Sequence, residues 1–428
     1  MSRVVLGMIG LGTVGQGVVR LLSGNKNLVL KKVAVADVKK KRQVQLPGSC
    51  ELTNDVAAVL SDPEIEVVIE VMGGEQPALD YMLKAIEKHK HIITANKEVL
   101  AKHGPTLFAK ARDKGVDIFF EAAVAGGLPL ISTIHKGLEA NEISSVVGIM
   151  NGTTNYILSQ MSDKGVSFAD ALAEAQQKGF AESDPTADVD GHDVSYKLSI
   201  LSALAYGRFA NPSKIHKQSI RQLHKEDIET AAKLGYAIKL IGITQQTNKQ
   251  LSVLVAPMLV PANHVLAAVS LANNGILVNG SAVGEILMVG PGAGQMPTAS
   301  AIVGDTINLA NALQLPDFAS YFQPEIESEW ADVKEVSNWH SPYYLRLIVK
   351  DTPGVIGHIG TIFGTHNISI ASLIQKECPE DSASIVVITH EAKKAYMDKA
   401  LEKLQKSDFL KELGAALHIF KPESNHAQ

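Results

Sequence analysis

The run Gly10-Leu11-Gly12-Thr13-Val14-Gly15 decides how this chain is read. It follows an apolar stretch at residues 4–9 and opens an amphipathic pattern at 14–22, so it stands between a strand and a helix. Glycines there allow a tight turn and a close approach of backbone to ligand, and the N-terminus of the next helix favours a pyrophosphate. Taken alone, the motif also fits an ordinary glycine-rich turn. The strand before it and the helix after it favour a dinucleotide site.

Working outward, strand-length apolar runs at 4–9, 29–36, 67–70, 91–94 and 117–120 alternate with helical patterns, notably 77–88 and 98–113. That rhythm predicts a doubly wound, mostly parallel sheet. Asp37 ends the second strand, where an acid holds the ribose 2′-hydroxyl of NAD. Lys39, Lys40, Lys41 and Arg42 follow and suit the 2′-phosphate of NADP, or simply a solvated turn, so the choice between NAD and NADP stays open. Thr94-Ala95-Asn96-Lys97 falls at the C-terminal end of a strand, the edge at which such sheets bind ligands.

From 130 to 290, β-rich runs (144–150, 251–259, 285–289) are interleaved with alanine-rich helices, which predicts a second, catalytic domain. It carries five acids, Glu182, Asp184, Asp188, Asp190 and Asp193, and then Lys197. Acids so close together repel and titrate upward unless a cation or an amine joins them, which suggests a substrate with an ammonium group. Asp193 and Lys197 lie one helical turn apart, and a lysine beside carboxylates can protonate a carbonyl under reduction or steady its alkoxide. On spacing alone the plainer reading, a surface ion pair, is preferred.

Gly290-Pro291-Gly292-Ala293-Gly294 precedes an apolar helical pattern at 298–313, expected to return to the first domain, and residues 317–341 read as a linker. From 342 onward the order strand, helix, strand, strand, helix, strand predicts a ferredoxin-like module of about 80 residues.

The 428 residues suit two or three domains at about 150 residues each. With 40 basic against 45 acidic side chains spread along the chain, nucleic acid is not an expected partner. Cys50 and Cys378 are the only cysteines, which suits a reducing cytoplasm better than a disulfide scaffold. The N-terminal apolar run is broken by glycines, and the most apolar stretch, 251–260, is short and interrupted by Pro257. Neither export nor a membrane span is expected.

The chain resembles the homoserine dehydrogenases over essentially its whole length. The segments that carry this are 10–15, 94–97, Glu121-Ala122-Ala123-Val124-Ala125-Gly126-Gly127-Leu128-Pro129, Gly148-Ile149-Met150-Asn151-Gly152-Thr153-Thr154-Asn155 and 182–197. The tail, with Asp351-Thr352-Pro353-Gly354-Val355 and Asn367-Ile368-Ser369-Ile370, resembles an ACT domain. The resemblance implies an α/β fold in three parts. A Rossmann-type doubly wound sheet spans 1–129 with 291–316 returning to it, an α+β catalytic and dimerisation domain spans 130–290, and a ferredoxin-like ACT domain spans 342–421.

It further implies NAD(P)-dependent, reversible reduction of L-aspartate 4-semialdehyde to L-homoserine, on the route to threonine, methionine and isoleucine. By the same resemblance Lys197 is the proton donor, which reverses the surface-pair reading, and Lys97 stands at the nicotinamide and shares in proton transfer. Glu182, Asp193, Asp188 and Thr153 hold the substrate; Gly10, Leu11, Gly12, Thr13, Val14, Gly15, Asp37, Lys97 and Gly294 hold the cofactor. A structural sodium ion is implied at Glu121 and the carbonyls of Val124, Gly126 and Leu128. An amino-acid effector, threonine first, is implied at an ACT interface near Asp351, Gly354 and Asn367 of a homodimer or homotetramer.

Ala36 stands where many relatives carry an arginine, which weakens an assignment to NADP. Two rival readings remain. Another semialdehyde dehydrogenase would need a cysteine nucleophile that neither Cys50 nor Cys378 is placed to supply. The other is a non-catalytic regulator that binds a nucleotide and an amino acid.

Overall fold

The computed structural model describes residues 3–314, 324–379 and 381–422. Six parallel strands form the first sheet: β1 (Val4–Ile9), β2 (Leu28–Ala34), β3 (Glu51–Thr53), β4 (Val67–Glu70), β5 (His91–Thr94) and β6 (Ile118–Phe119), in the order β3-β2-β1-β4-β5-β6. Helices α1 (Thr13–Leu22), α2 (Val56–Leu60), α3 (Ala78–Glu87) and α4 (Lys97–Lys114) alternate with them. Strand order reverses between β1 and β4, so the crevice beyond their carboxyl ends is the expected ligand site. β4 and β5 are buried at every residue, as central parallel strands are, which is why they read as plain apolar runs. β3 has only three residues and no apolar run to announce it.

The second part runs through α5 (Leu130–Ser132), β7 (Ile143–Ile149), α6 (Gly152–Lys164), α7 (Phe168–Gln177), α8 (Thr186–Val189) and α9 (His192–Tyr206). It continues with β8 (His216–Lys217), α10 (Lys225–Lys233), β9 (Tyr236–Thr247), β10 (Gln250–Pro261), β11 (Asn273–Gly280) and β12 (Gly284–Pro291). β9 was not foreseen, because Lys239 and Gly242 interrupt its apolar pattern. Gly242 is what lets α9 lie close, since a Cβ there would sit 2.7 Å from Val194. β10 runs straight through Pro257. Its outer edge meets β8 at Leu254 and Val255 and the last strand of the chain at Met258 and Leu259, so the proline, with no amide to donate, falls between the two pairings.

Helix α11 (Gln295–Ala312) packs on α1, where a Cβ at Gly17 would lie 2.9 Å from that of Ala299. Its Ala299, Ile302, Val303 and Leu309 share one apolar cluster with Val4, Leu6 and Met8 of β1.

The C-terminal module comprises β13 (His340–Ser341), β14 (Tyr343–Lys350), α12 (Val355–Thr365), β15 (Ile370–Cys378), β16 (Ser382–Thr389), β17 (Ala392–Lys393), α13 (Lys394–Gln405) and β18 (Leu410–Ile419). Its antiparallel strands run β18-β14-β16-β15. Nothing in the sequence pattern anticipates how it joins the rest. β18 pairs in parallel with β10 through Met258↔His418 and Leu259↔Ile419, so the last two parts share one ten-stranded sheet. Residues 315 and 316 of the returning segment and 317–323 of the expected linker lie outside the described residues. The remainder is strapped down, with the amides of Glu327 and Ala331 donating to the carbonyls of Gly207 (2.8 Å) and Phe209 (2.9 Å). Among the described residues no helix is long and apolar enough to cross a membrane.

Candidate active site

At the glycine turn Gly10 has φ +104°, and a Cβ there would lie 2.7 Å from the Val71 carbonyl oxygen. At Gly15 a Cβ would lie 2.5 Å from the Gly10 oxygen, whereas Gly12 faces open space at the start of α1. The backbone in front of this helix N-terminus is thus clear of side chains, as a pyrophosphate site requires. A side chain forced to positive φ costs about 1–3 kcal/mol. Gly10→Ala is therefore expected to raise the cofactor dissociation constant by about tenfold, read by fluorescence titration; unchanged affinity would remove the turn from cofactor binding.

Leu11 is buried beneath the turn, Val14 is half-buried and Thr13 is exposed. Asp37 is exposed three residues beyond the end of β2, its Oδ1 accepting from the Lys39 amide at 2.8 Å. Arg42 curls back and donates to the carbonyls of Asp37 and Lys40, both at 2.8 Å. Gly294, with φ +123°, starts α11, and the next residue, Gln295, donates to the Thr13 carbonyl at 2.8 Å, which holds this segment against the turn.

Asp193 and Lys197 lie on α9, 2.8 Å apart, with side chains only 5% and 8% exposed. The surface-pair reading is corrected here. α9 is apolar nearly all round, with Val194, Leu198, Ile200 and Leu201 buried, so its i,i+4 pair is carried into the interior. Lys197 Nζ also donates to the Met150 carbonyl at 2.5 Å. Lys97, from the first turn of α4, places its ammonium 2.7 Å from Asp193 Oδ1. One buried carboxylate thus lies between two lysines from separate sheets' elements. Asn151 donates to Asp193 Oδ2 (2.9 Å) and Asp188 Oδ1 (2.7 Å), bridging two acids that would otherwise repel.

The two lysines are displaced in opposite directions. Burial pushes Lys197 below its ordinary value, with Lys97 adding to the effect and Asp193 opposing it. The charge of Asp193 pulls the half-exposed Lys97 upward against its own partial burial. Burial pushes Asp193 up, but the two ammonium groups outweigh it and hold its carboxyl below the usual range. Asp188 goes up, first from burial and then from the charge of Asp193.

The five-acid cluster is corrected to three, Glu182, Asp188 and Asp193, whose charges reach Lys97. Asp184 accepts from the Thr186 amide (3.0 Å) and Asp190 pairs with Arg221 (2.9 Å), so both face away from the lysines. Glu182 is exposed, close enough for its charge to act on Lys97. The Thr153 hydroxyl is donated to the Phe180 carbonyl at 2.6 Å. Sequence reasoning passed over Glu70, the fully buried end of β4. It accepts from the Thr94 hydroxyl (2.7 Å) and the Met72 amide (2.9 Å), while Asn96 donates to the Gly74 carbonyl (2.8 Å), fixing the strand end that carries Lys97. Its only signal was an acid closing an otherwise apolar run.

Glu121 accepts from the amides of Ile131 (2.8 Å) and Ser132 (2.9 Å). Just beyond it Ala125, at φ +50°, bends the 124–128 segment into a turn closed by Leu128 N–H to Ala125 O at 2.7 Å. Asp305 on α11 accepts from the Glu121 amide at 2.9 Å and was also missed. Burial, helped by the Glu121 charge, pushes Asp305 up to about 8. In the C-terminal module Gly354, at φ +93°, opens α12, and Asn367, at φ +55°, follows its far end. Eleven helical residues put these two about 16 Å apart. One protomer therefore brings Asp351 and Gly354 together but leaves Asn367 at the opposite end.

Three family models match this chain: "Homoserine dehydrogenase, NAD binding domain" over residues 10–121, "Homoserine dehydrogenase" over 129–307 and "ACT domain" over 343–409. The chain is 39% identical to a homoserine dehydrogenase of Synechocystis, over 97% of this chain and 99% of that protein. It is 37% identical to a homoserine dehydrogenase of Bacillus subtilis, over 98% and 99%. A crystal structure of a homoserine dehydrogenase from Thiobacillus denitrificans superposes with a TM-score of 0.91 at 37% identity, covering 98% of this chain and 99% of that one. A hyperthermophilic archaeal homoserine dehydrogenase, solved in complex with NADPH, shares the fold at 21% identity and a TM-score of 0.62, over 74% of this chain and 99% of that one. With its nucleotide-binding domain and C-terminal ACT domain, the chain belongs to the homoserine dehydrogenase family.

Proposed function

We propose that this oxidoreductase interconverts L-aspartate 4-semialdehyde and L-homoserine with Lys197 as the group that gives and takes the proton and Lys97 as a fixed positive charge. The observation that carries this is one carboxylate, Asp193, shared by a buried lysine and a half-exposed one. Burial loosens the proton on Lys197, while Lys97 holds its own. In the reduction, Lys197 protonates the oxygen of the former carbonyl as it becomes an alkoxide. Asp188 and Glu182 meet the substrate's ammonium group, and Thr153 sits beside them. Bound NAD(P)H supplies the hydride.

The cofactor lies on Gly10 to Gly15, with Gly294 closing from α11 and Lys97 at the nicotinamide end. Asp37 offers a carboxylate to a ribose and Lys39 to Lys41 offer charge to a 2′-phosphate, so the protein accepts both NAD and NADP. Glu121 and the carbonyls of Val124, Gly126 and Leu128 form an oxygen-only set that suits a hard monovalent cation such as sodium, in a structural role. Burial keeps the Asp305 carboxyl beside them largely in its neutral form, and a cation bound there would favour its ionised form. Threonine binds where two ACT modules meet, Asp351 and Gly354 from one and Asn367 from the other, in a homodimer or homotetramer in the cytoplasm.

Initial rates of homoserine oxidation with NAD and with NADP, with and without threonine, test this. Turnover with both and inhibition by threonine are expected. No turnover with either overturns the catalytic assignment, and indifference to threonine removes it as the effector.

A further inference from the structure

The ammonium of Lys197 rests on two acceptors, and the second of them is itself held in place. Met150 O, which takes a hydrogen bond from Lys197 Nζ at 2.5 Å, also takes one from Asn274 Nδ2 at 3.1 Å. Asn274 lies on β11 one residue before the pair Gly275↔Ile149, so its side chain reaches the carbonyl directly beyond the end of β7. The residue is fully buried. Its Oδ1 finds no hydrogen-bond partner among the described residues.

On its other side the carboxamide lies against Gly292, where any Cβ would fall on the Asn274 side chain. That glycine segment is pinned from below, with Gly126 N–H donating to Gly292 O (3.0 Å) and Gly127 N–H to Pro291 O (3.1 Å). It leads through Gly294 into α11 and so to the glycine turn. If packing were the only demand here, an apolar side chain such as leucine, branched at the same atom, would serve without stranding a buried acceptor, and that is a costly state. The amide N–H is what the position needs.

We propose that Asn274 is a positioning residue for proton transfer. By occupying one lone pair of the Met150 carbonyl it fixes where the lysine ammonium sits against Asp193, and by lying against Gly292 it sets the spacing between that lysine and the cofactor segment. The inference deepens the assignment of Lys197 and rests on it. The charged groups facing Lys197 are Asp193 on its own helix, Lys97 at the start of α4 and Asp188 on α8, and substitution at Asn274 touches none of them.

Asn274→Leu keeps the branching and the number of heavy atoms and removes the donor. Met150 O is then left to Lys197 alone, which favours the ammonium form, so the pH limb that reports the lysine moves up. Homoserine oxidation needs the neutral amine, so kcat at neutral pH falls. The expected result is a kcat lower by about tenfold, a limb shifted up by about half a pH unit or more, and KM for homoserine and cofactor within about twofold of wild type. Asn274→Ser, which restores a small donor, recovers part of both losses and serves if the leucine variant does not fold. A wild-type limb that neither variant moves overturns the role of Asn274, as does a fall in kcat with the limb unmoved. A wild-type enzyme with no such limb, or an active Lys197→Ala variant, overturns the Lys197 assignment instead.

Discussion

Replacing Lys197 with alanine is expected to lower kcat for homoserine oxidation by about a thousandfold, since a placed acid–base side chain contributes about a hundred- to ten-thousandfold. That is about 4 kcal/mol of transition-state stabilisation. The fold should tolerate the change, because Asp193 keeps its contact with Lys97 and its hydrogen bond from Asn151. Cofactor affinity should also hold, since the glycine turn contacts neither residue. Lys197→Arg separates charge from proton transfer. A guanidinium remains charged throughout the accessible pH range, so this variant keeps the positive charge and still cannot cycle a proton. It is expected to be as slow as alanine. An arginine variant near wild-type rate would make the site purely electrostatic, and an alanine variant within about threefold of wild type would take Lys197 out of the chemistry.

What the sequence showed of this centre and what it hid have a common physical cause. The glycine turn and the buried strands β4 and β5 were legible because their signals are local: glycine spacing, and apolar runs of strand length bounded by turns. The Asp193–Lys197 spacing was equally legible, but its burial was not, because burial depends on what packs around α9. That Lys97 meets the same carboxylate is a matter of tertiary structure, joining residues far apart in the chain. The acid cluster misled for the same reason. Neighbours in sequence on short helices and turns point different ways, and Asp190 found Arg221 instead. Glu70, Asn274 and Asp305 carry no motif; each is a single polar residue whose meaning comes from the backbone groups it meets. β9 was hidden because Lys239 and Gly242 break its apolar run, and the β10–β18 pairing because strand partners leave no trace in one strand's own pattern.

The other large effect is expected at that junction, where no chemistry takes place. Arg346 of β14 donates through Nε and Nη2 to Asp227 of α10 at 2.6 and 3.0 Å, and the two side chains are 7% and 0% exposed. The Tyr344 hydroxyl (3.2 Å) and the His224 amide (3.0 Å) complete the carboxylate's shell. Gly414 on β18 makes room for the guanidinium, since a Cβ there would lie 2.6 Å from its carbon. The strand pairing across this junction spans only two residue pairs, so the buried ion pair is a specific tie between the ACT module and the catalytic part. Arg346→Ala leaves a buried carboxylate without its countercharge and is expected to cost about 3–5 kcal/mol. The measurement is the urea midpoint, followed by the fluorescence of Trp330 and Trp339, which both lie in the strap between the two parts. Removing both charges, in Asp227→Leu combined with Arg346→Met, is expected to recover most of the loss, because the penalty comes from the stranded charge and two apolar side chains of similar length carry none. A single variant with an unshifted midpoint would mean that the apolar contacts alone hold the module. A double variant no better than the single would mean that the pair stabilises the junction by more than its own burial costs.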